Sequence, residues 1–231
     1  MPDQSTTNRR GWAFGGVAAC VLLLSILPAG CNIIVPVSYV IDGPGTIPAE
    51  FNLRETTTAV FVDDRNNVLP RTALRAMVGV EITQRLIDNG AIESSLLVDS
   101  RDVMGLVRSI ETSDRRVSIE RIAREAGVEQ IVYVEVKGFA LTLDGFTPRP
   151  TAVANIKVLD VAANTKVFPG GGNPGGREVV AQVREVDPSN YESFAKRRRV
   201  EDDLAFKMGV TVAELFYEHQ RVDLGENLGI R

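Results

Sequence analysis

Few residue types in this chain are equipped for covalent chemistry. His219 is the sole histidine, and Cys20 and Cys31 are the only thiols. A Ser-His-Asp or Cys-His centre needs a positioned imidazole. His219 falls at the end of the last predicted helix, where a solvated cation would complement the helix dipole. One histidine and no spare thiols do not make a zinc site. Asp63-Asp64-Arg65-Asn66-Asn67 follows an apolar run. Loops at the carboxyl ends of strands often bind ligands, so Asp63, Asp64 and Arg65 are the candidate ligand or partner loop. The run lacks the alternation and closing glutamate of an EF-hand, and it reads equally as a strand-to-helix turn. Paired-carboxylate glycosidase chemistry is decided by separation in space, and no pair stands out in the sequence. Gly170-Gly171-Gly172-Asn173-Pro174-Gly175-Gly176 lacks the Lys-Ser/Thr of a phosphate loop and precedes a strand-like segment. A hairpin connection fits it better. Lys196-Arg197-Arg198-Arg199 is the one basic cluster. Glu201, Asp202 and Asp203 stand four residues beyond Arg197, Arg198 and Arg199, so an internally balanced helix face is expected; contact with anionic lipid or an acidic partner is the alternative. The residues predict no catalysis, no metal and no cofactor.

The sharpest chemical signal is at the N-terminus. Arg9-Arg10 precedes an uncharged run from Gly11 to Leu27, densest over Val21–Leu27, and then Pro28-Ala29-Gly30-Cys31. Basic, apolar and small residues in that order are a secretory signal. Cys31 directly after Ala29-Gly30 resembles the lipobox of bacterial lipoproteins, although Pro28 stands where that family usually has leucine. The resemblance implies cleavage after Ala29-Gly30 and transfer of diacylglyceryl, then a fatty acid such as palmitate, to Cys31. Acyl chains contribute about 0.8 kcal/mol per buried CH₂, and more than one chain is needed for stable anchoring. Two other readings stay open: a chance cysteine beside an ordinary cleavage site, and an uncut signal anchor, whose length is at the lower edge for a bilayer span. All three export the rest of the chain.

The chain has 231 residues, 44% hydrophobic and 24% charged, with net charge −4. That composition is globular and carries no global basic field for nucleic acid. Cleavage before Cys31 removes 30 residues and a net charge of +1, leaving 201 residues at −5. Cys31 is then the only cysteine, so no internal disulfide can form and stability must come from the core.

Residues 31–56 form a short lead-in, with an edge strand expected over Ile33–Ile41. A single domain is expected over 57–219, with 220–231 as a tail. Ala59–Val62 reads as a buried strand. Leu74, Val78, Ile82 and Leu86 then mark a helix from about Pro70 to Asn89-Gly90. A strand over Ser95–Val98 precedes a helix capped by Ser100. Another helix is capped by Ser118 and ended by Gly127. Strands follow at Ile131–Val136, Ala152–Val161, Thr165–Phe168 and Val179–Val186. A last helix spans about Tyr191 to His219, with Val200, Leu204, Met208, Val212 and Leu215-Phe216 as its apolar stripe. The expected fold is mixed α/β: an early, right-handed β-α-β unit, later antiparallel strands, and a long C-terminal helix packed on the sheet.

This order, with Leu97-Val98-Asp99-Ser100-Arg101, Ala126-Gly127-Val128 feeding Ile131–Val134, and Ile156–Val161 before a polar turn, resembles the α/β domain of TolB amino-terminal, CsgG-type curli-secretion and LpoB-type envelope lipoproteins, nearest an uncharacterised branch. The resemblance spans roughly residues 57 to 218. It implies a non-catalytic adaptor or assembly factor in the bacterial envelope that binds other proteins. The long barrel-forming hairpins of the CsgG type and the long tether of the LpoB type are both missing. Two rival readings remain: a secreted hydrolase or small-ligand binder using the strand-end loops, and a homo-oligomeric envelope component. Asn32 after the cysteine, rather than aspartate, favours the outer membrane.

Overall fold

The computed structural model describes residues 45–111, 116–142, 147–171, 175–183 and 187–221. Ala29, Gly30, Cys31, the strand expected over 33–41 and the centre of the glycine run lie outside these residues. The chain divides into two compact units. In the smaller, Thr46–Ile47 is a two-residue strand and the Arg221 N–H donates to the Gly45 carbonyl at 2.7 Å.

The larger unit, Pro48–His219, is built on a mixed six-stranded sheet. Its strands are β1 (Thr58–Asp63), β2 (Leu97–Val98), β3 (Gln130–Thr142), β4 (Pro148–Asp160), β5 (Thr165–Phe168) and β6 (Arg177–Gln182). The order is β2-β1-β3-β4-β5, and β6 shares the outer edge of β4 with β5. β1 runs parallel to β2 and β3, while the remaining pairings are antiparallel. Among the described residues, four α-helices pack with it: α1 (Thr72–Asp88), α2 (Ser100–Ile110), α3 (Ile119–Glu125) and α4 (Phe194–Ala213).

Every residue of β1 is buried, as a central parallel strand with helices on both faces requires. Its side chains alternate: Val60 and Val62 enter one core with Val132, Val134, Ala154 and Ile156, while Ala59 and Phe61 enter the other with Ile131 and Tyr133. The first core is closed by Leu74, Val78, Ile82 and Leu86 of α1 and by Leu204, Met208 and Val212 of α4. Full burial of each such side chain stabilises by about 1.5–3 kcal/mol. Val103 and Val107 of α2 and Ile122 of α3 close the second core.

The mixed α/β architecture expected from the sequence, with its long C-terminal helix on the sheet, is the one observed. Several element ends differ. Asp99, not Ser100, caps α2: its carboxylate accepts the Arg101 N–H at 2.8 Å, while Ser100 is the first helical residue and buried. The partly exposed Asp99 side chain is free to turn to that donor, whereas the Ser100 hydroxyl is turned against Gly79 of α1. Ser118 caps α3 as expected, and Gly127 takes φ +68° beyond its end. The last helix stops at Ala213, a tight turn over Glu214–Phe216 tucks Leu215 and Phe216 into the core, and Tyr217 is extended. His219 therefore sits in the short strand His219–Gln220 rather than at a helix end, so its expected role at a helix dipole is corrected. Its Nδ1 lies 3.2 Å from the Tyr217 carbonyl.

Residues 48–56 belong to the larger unit. The Glu50 and Phe51 N–H groups donate to the Leu215 carbonyl at 2.9 and 3.1 Å, and the Phe51 ring packs on Phe168. Glu50 makes two hydrogen bonds of 2.7 Å to Arg177, and Arg54 pairs with Asp160 at 2.8 Å.

α1 and α4 are joined by Arg71, whose Nε reaches Glu201 at 2.7 Å and whose Nη2 reaches Asp202 at 2.5 Å. Glu201 is only 13% exposed, so this pair is poorly screened. Arg71→Met is expected to cost about 1–2 kcal/mol, because it strands a half-buried carboxylate. Thermal denaturation of the variant beside wild type checks it.

Candidate functional site

The strand-end loop singled out from the sequence is drawn into a closed cluster. Asp63 ends β1, and β3 runs beside it with Tyr133 opposite Phe61. Side chains two residues apart share a face, so the Tyr133 hydroxyl reaches Asp63 and donates to Oδ2 at 2.6 Å. Arg65 Nε meets the same oxygen at 2.6 Å, and its Nη2 donates to the Val117 carbonyl at 3.1 Å. Arg75, in the first turn of α1, donates from Nε to the Val62 carbonyl at 2.5 Å and lies 5.1 Å from the Phe61 ring centre.

Burial governs the protonation behaviour here. Asp63 is 3% exposed, and desolvation raises its pKa despite the Tyr133 hydrogen bond and the Arg65 and Arg75 charges. Desolvation likewise pushes Arg75 below its ordinary range, and burial with the Asp63 bond drives Tyr133 far upward. Tyr133 is thus a fixed donor and not a phenolate nucleophile. Asp64 is spent on the turn: Oδ1 accepts the Val68 N–H at 2.8 Å and Oδ2 the Leu69 N–H at 3.2 Å. Two carboxylates and an arginine that looked available in the sequence are engaged in holding the β1–α1 connection. Among the described residues, no group of three His, Cys, Asp or Glu side chains is placed to hold a metal.

The basic cluster is arranged differently from the expectation. Glu201 and Asp202 turn to Arg71, so the balancing four-residue pairs with Arg197 and Arg198 do not form, and none joins Arg199 to Asp203 among the described residues. A short reach to a half-buried arginine on the neighbouring helix outcompetes solvent-exposed partners on the same helix. Lys196 turns back to the Ser189 carbonyl and Glu192. Arg198 stacks on Phe194, 5.3 Å from its ring centre.

An open groove of about 520 Å³ lies elsewhere, at the opposite end of the parallel strands from Asp63. Pro48, Leu53, Ala91, Phe216 and Tyr217 supply its apolar wall, and Asn52, Glu55, Asn89 and Glu218 its polar rim. Three segments meet there. The lead-in is held by its bonds to Leu215; the Asn89–Ala91 turn leaves α1 with Gly90 at φ +66°; and the chain beyond α4 returns through Phe216. Periodicity marks each of these only as an element end, so nothing in the sequence signals the groove. Tyr217 is held above its ordinary pKa, chiefly by burial, and stays a neutral hydroxyl.

No family model matches the sequence, and no curated protein matches it. Solved structures with a similar course include lipoprotein GNA1162 from Neisseria meningitidis, at 11% identity and TM-score 0.38, over 62% of this chain and 92% of that one. The LpoB C-terminal domain from Salmonella enterica aligns at 13% identity and TM-score 0.30, over 57% and 86%. The PelC dodecamer from Paraburkholderia phytofirmans aligns at 9% identity and TM-score 0.37, over 74% and 93%. These likenesses do not assign a family.

Proposed function

We propose that this protein is a membrane-anchored extracytoplasmic lipoprotein whose α/β domain is a non-catalytic, protein-binding adaptor or assembly factor of the bacterial envelope. The observation that carries the proposal is the order Arg9-Arg10, an uncharged run, and Ala29-Gly30-Cys31, ahead of a domain whose strand-end polar groups are tied to one another. The lipid on Cys31 holds the protein to the membrane, with the outer membrane favoured by Asn32. No helix among the described residues is long and apolar enough to cross a membrane.

In a bacterial host, wild type should stay with alkali-washed membranes, while Cys31→Ser should lose most of its membrane-bound fraction. Full retention of Cys31→Ser would support the uncut signal anchor instead. Photo-cross-linking in intact cells tests the adaptor half: reproducible adducts with envelope proteins are expected, and recovery of none would count against it.

The groove favours a second reading, a small-ligand binder, since its volume lies within the range of ligand pockets. That reading predicts a thermal shift with a bound metabolite, lost on Ala91→Arg.

A further inference from the structure

We infer that β6 is a self-association edge, on which a second copy of this chain adds its own β6 antiparallel about a two-fold axis through Val180. This goes beyond the adaptor reading and does not depend on the lipid.

β6 pairs with β4 in unbroken register, from Arg177 opposite Ile156 to Gln182 opposite Thr151. The Val183 N–H donates to the Pro150 carbonyl at 3.2 Å, which fixes the phase of the ladder. Main-chain groups alternate in direction along a strand. The odd-numbered residues therefore bond β4, and Glu178, Val180 and Gln182 turn their N–H and C=O outward. The Glu178 carbonyl agrees, since it accepts from Arg177 Nη1 at 2.8 Å. Among the described residues, nothing pairs with the outward groups of Val180 and Gln182. No proline, lysine or bulge interrupts the strand, and its two charged residues, Arg177 and Glu178, stand together at its start, which leaves Val179–Gln182 an uncharged edge.

The side chains select the occupant. Val180 is 48% exposed, an apolar β-branched residue at the middle of an open edge. With the axis on Val180, it meets its own copy. Glu178 falls opposite Gln182 of the second copy, twice, so each carboxylate accepts from an amide and no like charges face one another. Buried Val179 and Ala181 meet across the same junction. Placing the axis on Val179 sets Glu178 against Val180 instead, and placing it on Ala181 leaves Glu178 beyond Gln182. The match is between the strand and itself.

Sedimentation of the full chain in detergent, over a dilution series up to about 100 µM, tests this. A monomer–dimer equilibrium is expected. Val180→Lys, which sets two ammonium groups face to face, should weaken it more than tenfold. Gln182→Glu should weaken it roughly threefold to tenfold and Gln182→Lys should tighten it by a similar factor, because each change acts on two Glu178 pairs. Both positions face solvent, so thermal melts should move little and certify the fold. A wild-type chain monomeric throughout, or a dimer indifferent to positions 180 and 182, overturns the inference.

Discussion

Replacing Gly209 with valine is expected to cost about 3 kcal/mol and to lower the melting temperature by roughly 6–12 °C. α1 and α4 touch at this glycine. A Cβ there would lie 2.7 Å from Glu81 Cβ, 2.8 Å from its Cγ and 3.2 Å from the Val78 carbonyl oxygen. The last of these is backbone, so the helices must part, and the packing of Leu204, Met208 and Val212 over the sheet loosens with them. Gly105, in the interior of α2, has open space where its Cβ would be. Gly105→Ala should instead stabilise by about 0.5–1 kcal/mol through helix propensity alone. Opposite signs for two helical glycines, read by urea titration, check the close approach of α1 to α4.

Asp63→Ala is expected to cost about 3 kcal/mol, the order found when one partner of a buried pair is removed. It strands the Tyr133 hydroxyl and frees Arg65 at the mouth of the β1–α1 turn. Tyr133→Phe should cost less, and the double variant should fall short of the sum, because both act through one bond. The pH dependence has a definite sign. Burial sets the folded pKa of Asp63 above its ordinary value of 3.8. The native state therefore binds the extra proton, and the stability this gives is complete below 3.8 and lost as pH rises through the folded value. Plotted as wild type minus Asp63→Asn, unfolding free energy should decline with pH across that window. Glu50, Asp99, Asp160 and Asp187, all held low by hydrogen bonds or neighbouring arginines, contribute the opposite slope and cancel in the difference.

The layered fold is legible in the sequence because burial imposes period. Leu74, Val78, Ile82 and Leu86 recur every four residues and are all fully buried on α1. The unbroken apolar run of β1 announces a strand covered on both faces. Ser118 and Gly127 mark the ends of α3 by local backbone chemistry that needs no tertiary partner. Where a tertiary contact decides, the sequence is silent. Glu201 and Asp202 stand at the right spacing for Arg197 and Arg198, yet Arg71, 130 and 131 residues away, takes both. Asp63, Asp64 and Arg65 have the chemistry of a ligand loop, but only the placement of Tyr133 and of the Val68 and Leu69 amides shows where those groups are spent. The His219 expectation failed because an apolar stripe running through Leu215-Phe216 does not reveal that the helix has already given way to a tighter turn.

Lipid anchoring as proposed requires the exported chain to begin at Cys31. Intact-mass spectrometry of the protein extracted from bacterial membranes measures this directly. The prediction is a chain starting at Cys31 and heavier than residues 31–231 by a diacylglyceryl group and a fatty acyl chain. A full-length product still carrying Met1 and no lipid, recovered from the cytosolic fraction, would contradict it.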